Sequence, residues 1–398
     1  MSLRFAERMS RVGTEGAFEV LAQARRLEAQ GRQIVHLEIG EPDFATPDNI
    51  IEAAVDAMRE GYTHYTPASG IMQAREATAR YVARRTGVEA TAEEVVLTPG
   101  SKHLLHFTLL ALIEEGDEVL LPDPGYPIYR SLVEFVGAVP VAIPIREGND
   151  FRLDVEEMAS LITPRTRLLI LNSPANPTGG CLERSDVEAI AELCIRHDLV
   201  VVSDEIYQRM VYDGEHHSIR SVPGMAERTV YMDGVSKAWA MCGWRLGFGV
   251  MPVELSRRFD TLMINTSSCS AAFTQMAAVE AFEADASDAA VAAMLEEFRV
   301  RRDLIVDGLN AIPGVTCRRP RGAFYVFPNI EATGIPERQL ARDLLDQAGV
   351  ALLWGTAFGR HGAGHLRLSY ANSRENIALA LERIAGHLAG AVMPTPAG

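Results

Sequence analysis

Lysine is nearly absent from this sequence. Its 398 residues include 38 basic side chains, of which only Lys102 and Lys237 are lysines and the rest are arginines. A guanidinium stays protonated in proteins, whereas a lysine amine can lose its proton and form a Schiff base with a carbonyl compound. In a chain that otherwise uses arginine, the two lysines are therefore candidates for functions that arginine cannot perform.

Features of several other protein classes are also missing. The five cysteines are scattered without a Cys-x-x-Cys pair, which indicates a reducing compartment and gives no sign of a zinc site. No apolar run approaches the ~20 residues that span a bilayer, and the N-terminal stretch lacks the apolar core of a signal peptide. The net charge of −15 repels nucleic acids and anionic membranes. We expect a cytoplasmic protein with neither nucleic-acid nor membrane partners.

What the sequence contains is an alternation of apolar strands and amphipathic helices. Over residues 46–285 this pattern predicts an α/β domain with a mostly parallel sheet covered by helices on both faces. After residue 285 the pattern changes to a long helix at 294–310, short strands at GAFYVFP, GVALLW and HLRLSY, and a final helix at ENIALALERIAGHL. We expect residues 286–398 to form a smaller α+β domain together with residues 1–45.

Polar residues follow five of the predicted strands. They lie in the segments Gly100-Ser101-Lys102, 123–126, 172–180, 204–207 and 234–237. Because ligands of open parallel sheets bind outside the carboxyl ends of the strands, we expect these five loops to converge on one crevice. The crevice would contain an amine, a carboxylate, a phenol, an amide and a helix N-terminus able to bind phosphate.

Each of these residues also has a structural interpretation. Asp204 could cap the next helix, Asn176 lies in an ordinary Asn-Pro-Thr-Gly turn, and Tyr126 could serve packing alone. Arg367 could be half of a surface ion pair. Their combination favours one cofactor, pyridoxal phosphate, which requires a lysine, a carboxylate facing the pyridine nitrogen, donors for the ring oxygen and a phosphate site.

Motifs typical of one enzyme family extend over nearly the whole chain. They are GEPDFATP, YTPASG, TPGSKH, PDPGYPIY, NSPANPTGG, SDEIYQRMVYDG, GVSKAWAMCGWRLGFG, GAFYVFP and GHLRLSYANS. At these motifs the sequence resembles the fold-type I pyridoxal-phosphate enzymes, and more narrowly the class I/II aminotransferases of the bacterial aspartate/aromatic type. The resemblance implies an aspartate aminotransferase-like fold and a homodimer with a shared active site.

The resemblance also implies a role for individual residues. Lys237 would bind the cofactor as a Schiff base and then move a proton, while Asp204 would pair with the pyridine nitrogen. Hydrogen bonds to the ring oxygen would come from Tyr207 and Asn176. The other implied contacts are ring stacking by Tyr126, phosphate binding by Gly100, the backbone N–H groups of Ser101 and Lys102, the Ser236 hydroxyl and Arg245, substrate binding by Arg367, Gly40 and Asn176, and contact of Tyr65 with the neighbouring subunit's phosphate.

The sequence departs from the family pattern in three places. Gly234 stands where many relatives carry a serine, so one phosphate contact is expected to be missing or replaced by Ser236. Trp354-Gly355 stands where relatives often show Pro-Gly, close to the expected substrate entrance. No second arginine is clearly positioned for a dicarboxylate side chain. We expect the Trp354 region to affect the choice of substrate side chain.

Three functions follow from these observations. The first is an aminotransferase that moves an amino group from an L-amino acid to a 2-oxo acid by a ping-pong mechanism, with 2-oxoglutarate as the expected acceptor. The second is another reaction on the same scaffold, catalysed by a C–S β-lyase, a cyclopropane-forming synthase or an amino-acid oxidase. The third is a cofactor-sensing module of a transcription regulator, but the N-terminal segment is too short for a helix-turn-helix domain and the net charge is unfavourable for DNA binding.

Overall fold

A seven-stranded sheet forms the centre of the computed structural model, which describes residues 3–390. The strands are β1 (Val35–His36), β2 (Val95–Thr98), β3 (Glu118–Asp123), β4 (Val139–Pro144), β5 (Thr166–Asn172), β6 (Val200–Asp204), β7 (Thr229–Gly234), β8 (Gly247–Val250), β9 (Tyr325–Val326), β10 (Val350–Ala351), β11 (Leu353–Trp354) and β12 (Leu366–Ser369). The central sheet has the order β2-β8-β7-β6-β5-β3-β4. Only β8 runs against its neighbours, so the carboxyl ends of the other six strands lie along one edge.

Helices cover both faces of this sheet. They are α1 (Gly16–Glu28), α2 (Asp48–Arg59), α3 (Met72–Thr86), α4 (Lys102–Leu112), α5 (Pro127–Phe135), α6 (Val155–Leu161), α7 (Arg184–Arg196), α8 (Val235–Ala238), α9 (Val253–Thr266), α10 (Ala272–Glu283), α11 (Asp285–Asn310), α12 (Glu337–Asp343) and α13 (Arg374–Leu388). Within residues 3–390, none of the helices has the length and apolar character required to cross a bilayer.

The apolar strand runs are explained by burial on two sides. Val119 and Leu120 are neighbours in β3, yet they belong to different hydrophobic clusters, and both are fully buried. The same alternation occurs at Leu168 and Leu169 in β5. A strand with helices on both faces needs apolar side chains at every position, which is why the period of two is missing from these segments.

The C-terminal part of the chain contributes most of another hydrophobic cluster. It contains residues of β1, β9, β10, β12, α11 and α13 together with residues of the segment 207–212, whereas Leu353 of β11 packs in a cluster with strands of the central sheet. Residues from the N-terminal segment, Val35 and Leu37, pack in the first of these clusters. In contrast, Val20 and Ala24 of α1 belong to a cluster that contains strands of the central sheet.

The predicted fold class is confirmed, with two local differences. The segment GVALLW was expected to form one strand, but β10 and β11 belong to two different sheets. The helix expected from residue 294 onward begins at Asp285, so α11 contains 26 residues. The division into residues 46–285 and a smaller domain from both termini stays a prediction.

The N-terminus of α4 lies directly on the central sheet because β8 begins with glycine. A Cβ atom on Gly247 would collide with the backbone nitrogen of Ser101 and would lie 2.6 Å from the carbonyl carbon of Gly100. Backbone atoms cannot rotate away as a side chain can. The absence of a side chain at Gly247 therefore fixes how closely the loop 99–102 approaches the sheet edge.

Replacing this glycine should destabilise the protein. We expect Gly247→Ala to lower the free energy of unfolding by roughly 1–3 kcal/mol, as overpacking against backbone does elsewhere. Gly386→Ala is the matched control, because Gly386 lies in α13 with open space around its Cβ position. That variant should gain about 0.5–1 kcal/mol from better helix propensity. Urea unfolding of both variants checks this; equal stability of Gly247→Ala and the wild type would contradict the close approach.

Candidate active site

The loops at the carboxyl ends of the strands surround one cavity of about 470 Å³. It is lined by eleven of the residues singled out from the sequence, namely Gly40, Ser101, Lys102, Tyr126, Asn176, Asp204, Tyr207, Ser236, Lys237, Arg245 and Arg367. Gly100 lies beside it, in contact with Arg245. The predicted convergence of five loops is therefore present in the structure.

Lys237 reaches this cavity from the short helix α8, which directly follows β7. Its Nζ donates a 2.5 Å hydrogen bond to the carbonyl oxygen of Gly40. The thiol of Cys242 lies 3.8 Å from Nζ, and the ring of Phe324 lies 5.9 Å away. The amine thus lies at the junction of the central sheet and the N-terminal segment, with a carbonyl as its strongest contact.

Asp204 ends β6 and is buried. Its Oδ2 accepts a 2.6 Å hydrogen bond from the hydroxyl of Tyr129 in α5, and its Oδ1 accepts one from the backbone N–H of Ile206. Burial raises the pKa of the Asp204 carboxyl to about 6, although these two donors act in the opposite direction. At neutral pH Asp204 is a buried carboxylate, and a cation in the cavity would stabilise it.

Two tyrosine hydroxyls form a second pair in the cavity wall. Tyr207 Oη and Tyr325 Oη lie 2.8 Å apart, and burial raises the pKa of Tyr207 well above its usual value, so Tyr207 is protonated. A Cβ atom on Gly40 would collide with the Tyr325 hydroxyl, so glycine at position 40 makes room for this pair.

Asn176 is held in the cavity through its backbone. Its N–H donates a 2.8 Å hydrogen bond to Oδ1 of Asn172, whose amide in turn donates to the carbonyl of Asp204. The side-chain Oδ1 of Asn176 is buried and has no partner among the described residues. A buried amide oxygen without a partner indicates that a bound molecule completes its hydrogen bonding.

A cradle for an anion lies at the N-terminus of α4. Ser101 immediately precedes this eleven-residue helix, whose first N–H groups carry partial positive charge. Gly100 has φ of +86°, and a Cβ atom there would collide with the guanidinium of Arg245. Arg245 is exposed, and its Nη1 donates a 2.8 Å hydrogen bond to the carbonyl of Cys242. Together with Ser236, these groups have the donor set that a phosphate requires.

Arg367 is a buried cation without an ion-pair partner among residues 3–390. It lies in β12 with 3% exposure, donates to the carbonyl of Glu38, and stacks 4.6 Å from the ring centre of Tyr325. Burial lowers the pKa of its guanidinium. Across residues 3–390, no carboxylate oxygen lies within 4 Å of it, and its Nε is unpartnered. Such a group favours binding of an anion from solution.

Tyr126 forms the wall opposite these groups. Its ring meets Tyr129 edge-on at 5.5 Å, and its hydroxyl donates to Glu15, which also accepts from Lys102. Packing alone therefore does not explain Tyr126. Tyr65 is not brought to the cavity of this chain, since its side chain is 89% exposed.

Sequence reasoning missed three residues of this site. Tyr129 and Tyr325 lie within the quoted motifs PDPGYPIY and GAFYVFP, where a polar group on an otherwise apolar segment was the available signal. Glu15 follows a Gly-Thr turn at the start of α1 and had no distinguishing signal. Its role depends on contacts with residues nearly ninety or more positions away.

Comparison with known proteins agrees with this geometry. The family described as "Aminotransferase class I and II" matches residues 32–384. The chain belongs to this family. It is 40% identical to the arginine–pyruvate transaminase of Pseudomonas aeruginosa, over 96% of this chain and 98% of the relative. It is also 40% identical to aromatic-amino-acid aminotransferase 2 of Thermococcus litoralis, over 89% and 92%.

Solved structures give the same result. The aspartate aminotransferase of Thermus thermophilus with maleate superposes with a TM-score of 0.93 at 39% identity, covering 96% of this chain and 99% of that chain. Members of the family carry out pyridoxal-phosphate-dependent transamination, and this chain is an aminotransferase. The predicted family, fold class and enzyme class of the sequence analysis are confirmed.

The tyrosine pair gives a prediction about stability. In the cofactor-free aminotransferase, Tyr325→Phe leaves the buried Tyr207 hydroxyl without its partner, which should cost about 1–3 kcal/mol of unfolding free energy. The double variant Tyr207→Phe/Tyr325→Phe removes both hydroxyls and should cost less than the sum of the two single changes. Urea unfolding of the four proteins measures this coupling, and strictly additive losses would show that the two hydroxyls do not interact.

Proposed function

We propose that this aminotransferase binds pyridoxal phosphate at Lys237 and transfers the amino group of an L-amino acid to a 2-oxo acid. The observation that carries the proposal is that an amine and a buried guanidinium without an ion pair line one cavity. These are Lys237 and Arg367. The carboxylate of an α-amino acid is complementary to Arg367, and its amine can compete with the Lys237 amine for a carbonyl group.

The residues of the cavity fit the cofactor. Pyridoxal phosphate needs an amine for its aldehyde, an anion for its ring nitrogen, donors for its ring oxygen and a phosphate site. Lys237, the buried Asp204 and the hydroxyl of Tyr207 supply the first three. Asn176, whose side-chain Oδ1 has no partner among the described residues, would donate from its NH₂ group to the ring oxygen. The phosphate is assigned to the N-terminus of α4, Ser236 and Arg245.

When bound, the cofactor supplies the electron sink that allows a proton to leave the α-carbon of the amino acid. The protein supplies the rest. The Arg367 fork binds the α-carboxylate and orients the α-carbon toward Lys237 Nζ. Lys237 would take the proton from the α-carbon as a base and then donate it, as an acid, to the C4′ carbon of the cofactor, so that the amino group stays with the cofactor. Tyr126 covers one face of the space and keeps water from it.

The alternative reactions receive no support from the comparisons. The relatives and structures described above carry aminotransferase names. Among residues 3–390, no group of three His, Cys, Asp or Glu side chains has the arrangement of a metal site. The acceptor 2-oxoglutarate stays an expectation, as does the pyruvate that the name of the Pseudomonas relative suggests for this chain.

We also propose a cytoplasmic homodimer. Tyr65 is 89% exposed, and several large apolar side chains of the N-terminal part are more than half exposed, among them Leu3, Phe5 and Phe18. Contiguous exposed apolar groups of this size favour a partner surface. A second copy of the chain would bring its own Tyr65 to the phosphate site. Sedimentation analysis of the purified protein tests this assembly.

The proposed function is tested first by absorbance. With pyridoxal phosphate the wild type should show a band at about 420 nm, because a lysine-bound cofactor absorbs there. Amino acids are then added one at a time without acceptor, and a donor should convert the band to one at about 330 nm. Subsequent addition of a 2-oxo acid should restore the first band and release the corresponding new amino acid.

Lys237→Ala is the matched control, and it should show no 420 nm band and no transfer. Retention of normal turnover in this variant would reject Lys237 as the acting lysine. A band that persists while ammonia accumulates without an acceptor would instead identify one of the alternative reactions.

Cofactor affinity should depend on pH through Asp204. Burial raises the pKa of this carboxyl to about 6. Protonated Asp204 cannot pair with a pyridinium, so affinity for pyridoxal phosphate should fall as the pH drops below about 6 and level off above it, by at most about tenfold per pH unit. Asp204→Asn should bind pyridoxal phosphate weakly and should not show this dependence of affinity on pH. Spectrophotometric titration of both proteins with the cofactor between pH 5 and 8 measures the two affinities. Identical pH profiles of the wild type and the variant would contradict the assignment of Asp204.

A further inference from the structure

One ion pair of the cavity has no part in the roles assigned so far. The side-chain Nζ of Lys102 lies 2.5 Å from Oε1 of Glu15, which also accepts the hydroxyl of Tyr126. Glu15 is the residue before α1, and its side chain is only 15% exposed, against 50% for Lys102. The ammonium also lies 5.6 Å from the centre of the Tyr126 ring. The pair is therefore held in place at the wall that Tyr126 forms.

The pair lines the same cavity as Arg367 and Lys237. A substrate bound by its α-carboxylate at Arg367, with its α-carbon beside Lys237 Nζ, must extend its side chain into the remaining part of the cavity. The groups that line the cavity outside the assigned roles include Glu15 and Phe18 at the start of α1 and the Lys102 side chain. The Glu15 charge also acts on the Arg367 guanidinium, opposing the lowering of its pKa by burial.

The charges of the cavity leave few partners for a second carboxylate on the substrate. Arg367 is assigned to the α-carboxylate, Arg245 to phosphate and Lys237 to the cofactor aldehyde. Among the described residues that line the cavity of one chain, the remaining cation is Lys102, and Glu15 already pairs with it. A distal carboxylate that enters this space meets a like charge and gains a partner only by displacing Glu15.

We propose that Glu15 is a specificity-determining residue, whose carboxylate occupies the Lys102 ammonium and thereby disfavours dicarboxylic substrates relative to neutral substrates of the same length. The proposal rests on the proposed function and deepens it by naming a substrate class. Neutral side chains leave the ion pair intact. Dicarboxylic substrates react at the cost of breaking it, so they are slowed rather than excluded.

The test is Glu15→Gln, which removes the charge but keeps an oxygen that can accept the Tyr126 hydroxyl. We compare 2-oxoglutarate with 2-oxopentanoate, which has the same five-carbon chain and no distal carboxylate. For a partly exposed ion pair, kcat/KM for 2-oxoglutarate should rise about two- to fivefold, and that for 2-oxopentanoate should stay unchanged. The specificity ratio is kcat/KM for 2-oxoglutarate divided by kcat/KM for 2-oxopentanoate. If Glu15→Gln leaves this ratio unchanged, including by an equal rise for both acceptors, the proposal is overturned.

Two further variants separate the ion pair from general effects. Glu19→Gln removes the same charge from an exposed position of α1, where Glu19 accepts from Thr14 at 2.7 Å, and should leave the ratio unchanged. Glu15→Gln/Lys102→Met should lose the gain for 2-oxoglutarate, because the released ammonium is then absent. A gain that persists in the double variant would show that Lys102 does not receive the distal carboxylate.

A binding measurement distinguishes this proposal from the proposed function. Glutarate and pentanoate do not react, and their binding to the cofactor-loaded protein is followed by the change in visible absorbance. Glu15→Gln should raise the affinity for glutarate over pentanoate by the same factor as the kinetic ratio. If the wild type transfers no amino group to either acceptor, the proposed function is wrong. If Glu15→Gln leaves the ratio of glutarate to pentanoate affinity unchanged, only the role of Glu15 is refuted.

Discussion

A carboxylate buried at the end of the central strand is the constraint on which this structure depends. Asp204 is 6% exposed, and taking its charge out of water is costly enough to raise its pKa to about 6. The carboxylate persists only because Tyr129 of α5 and the turn after β6 donate hydrogen bonds to it. The hydrogen bond from Tyr129 connects α5 to the carboxyl end of β6. A cation bound over Asp204 offsets the remaining cost.

The cavity contains charged groups without ion-pair partners. Many guanidiniums elsewhere in the molecule have carboxylate partners, as Arg152 does with Asp186 and Arg165 with Glu118. The buried Arg383 instead donates only to backbone carbonyls and to the Gln33 amide oxygen. Within the described part of the chain, Arg367 is buried with a carbonyl and two aromatic rings but no carboxylate. Asp204 and Arg367 are a buried anion and a buried cation in one cavity. The loss of their hydration is unfavourable without a ligand, and a ligand that carries charges of both signs would be complementary to them.

Most of the fold and much of the site could be predicted from the sequence because the signals were local. Apolar runs such as that of β5 identify strands covered on both faces, and the polar residues after them lie at one sheet edge by topology alone. The partners of those residues could not be predicted. Tyr207 meets Tyr325 across 118 positions and Tyr126 meets Glu15 across 111, so only the packing of distant segments brings them together. The prediction of a single strand at GVALLW was wrong for the same reason, because its two halves pair with strands of different sheets.

Lysine is present at its two positions for different physical reasons. At Lys237 an amine is required, because a guanidinium does not react with an aldehyde. At Lys102 no such chemistry is needed, and an arginine could also neutralise Glu15. A guanidinium, however, would bind both carboxylate oxygens as a fork, whereas the Lys102 ammonium contacts only Oε1. The single contact leaves Glu15 displaceable. Lysine at this position therefore allows a dicarboxylic acid to compete with Glu15, and arginine would hold the side-chain subsite closed to it.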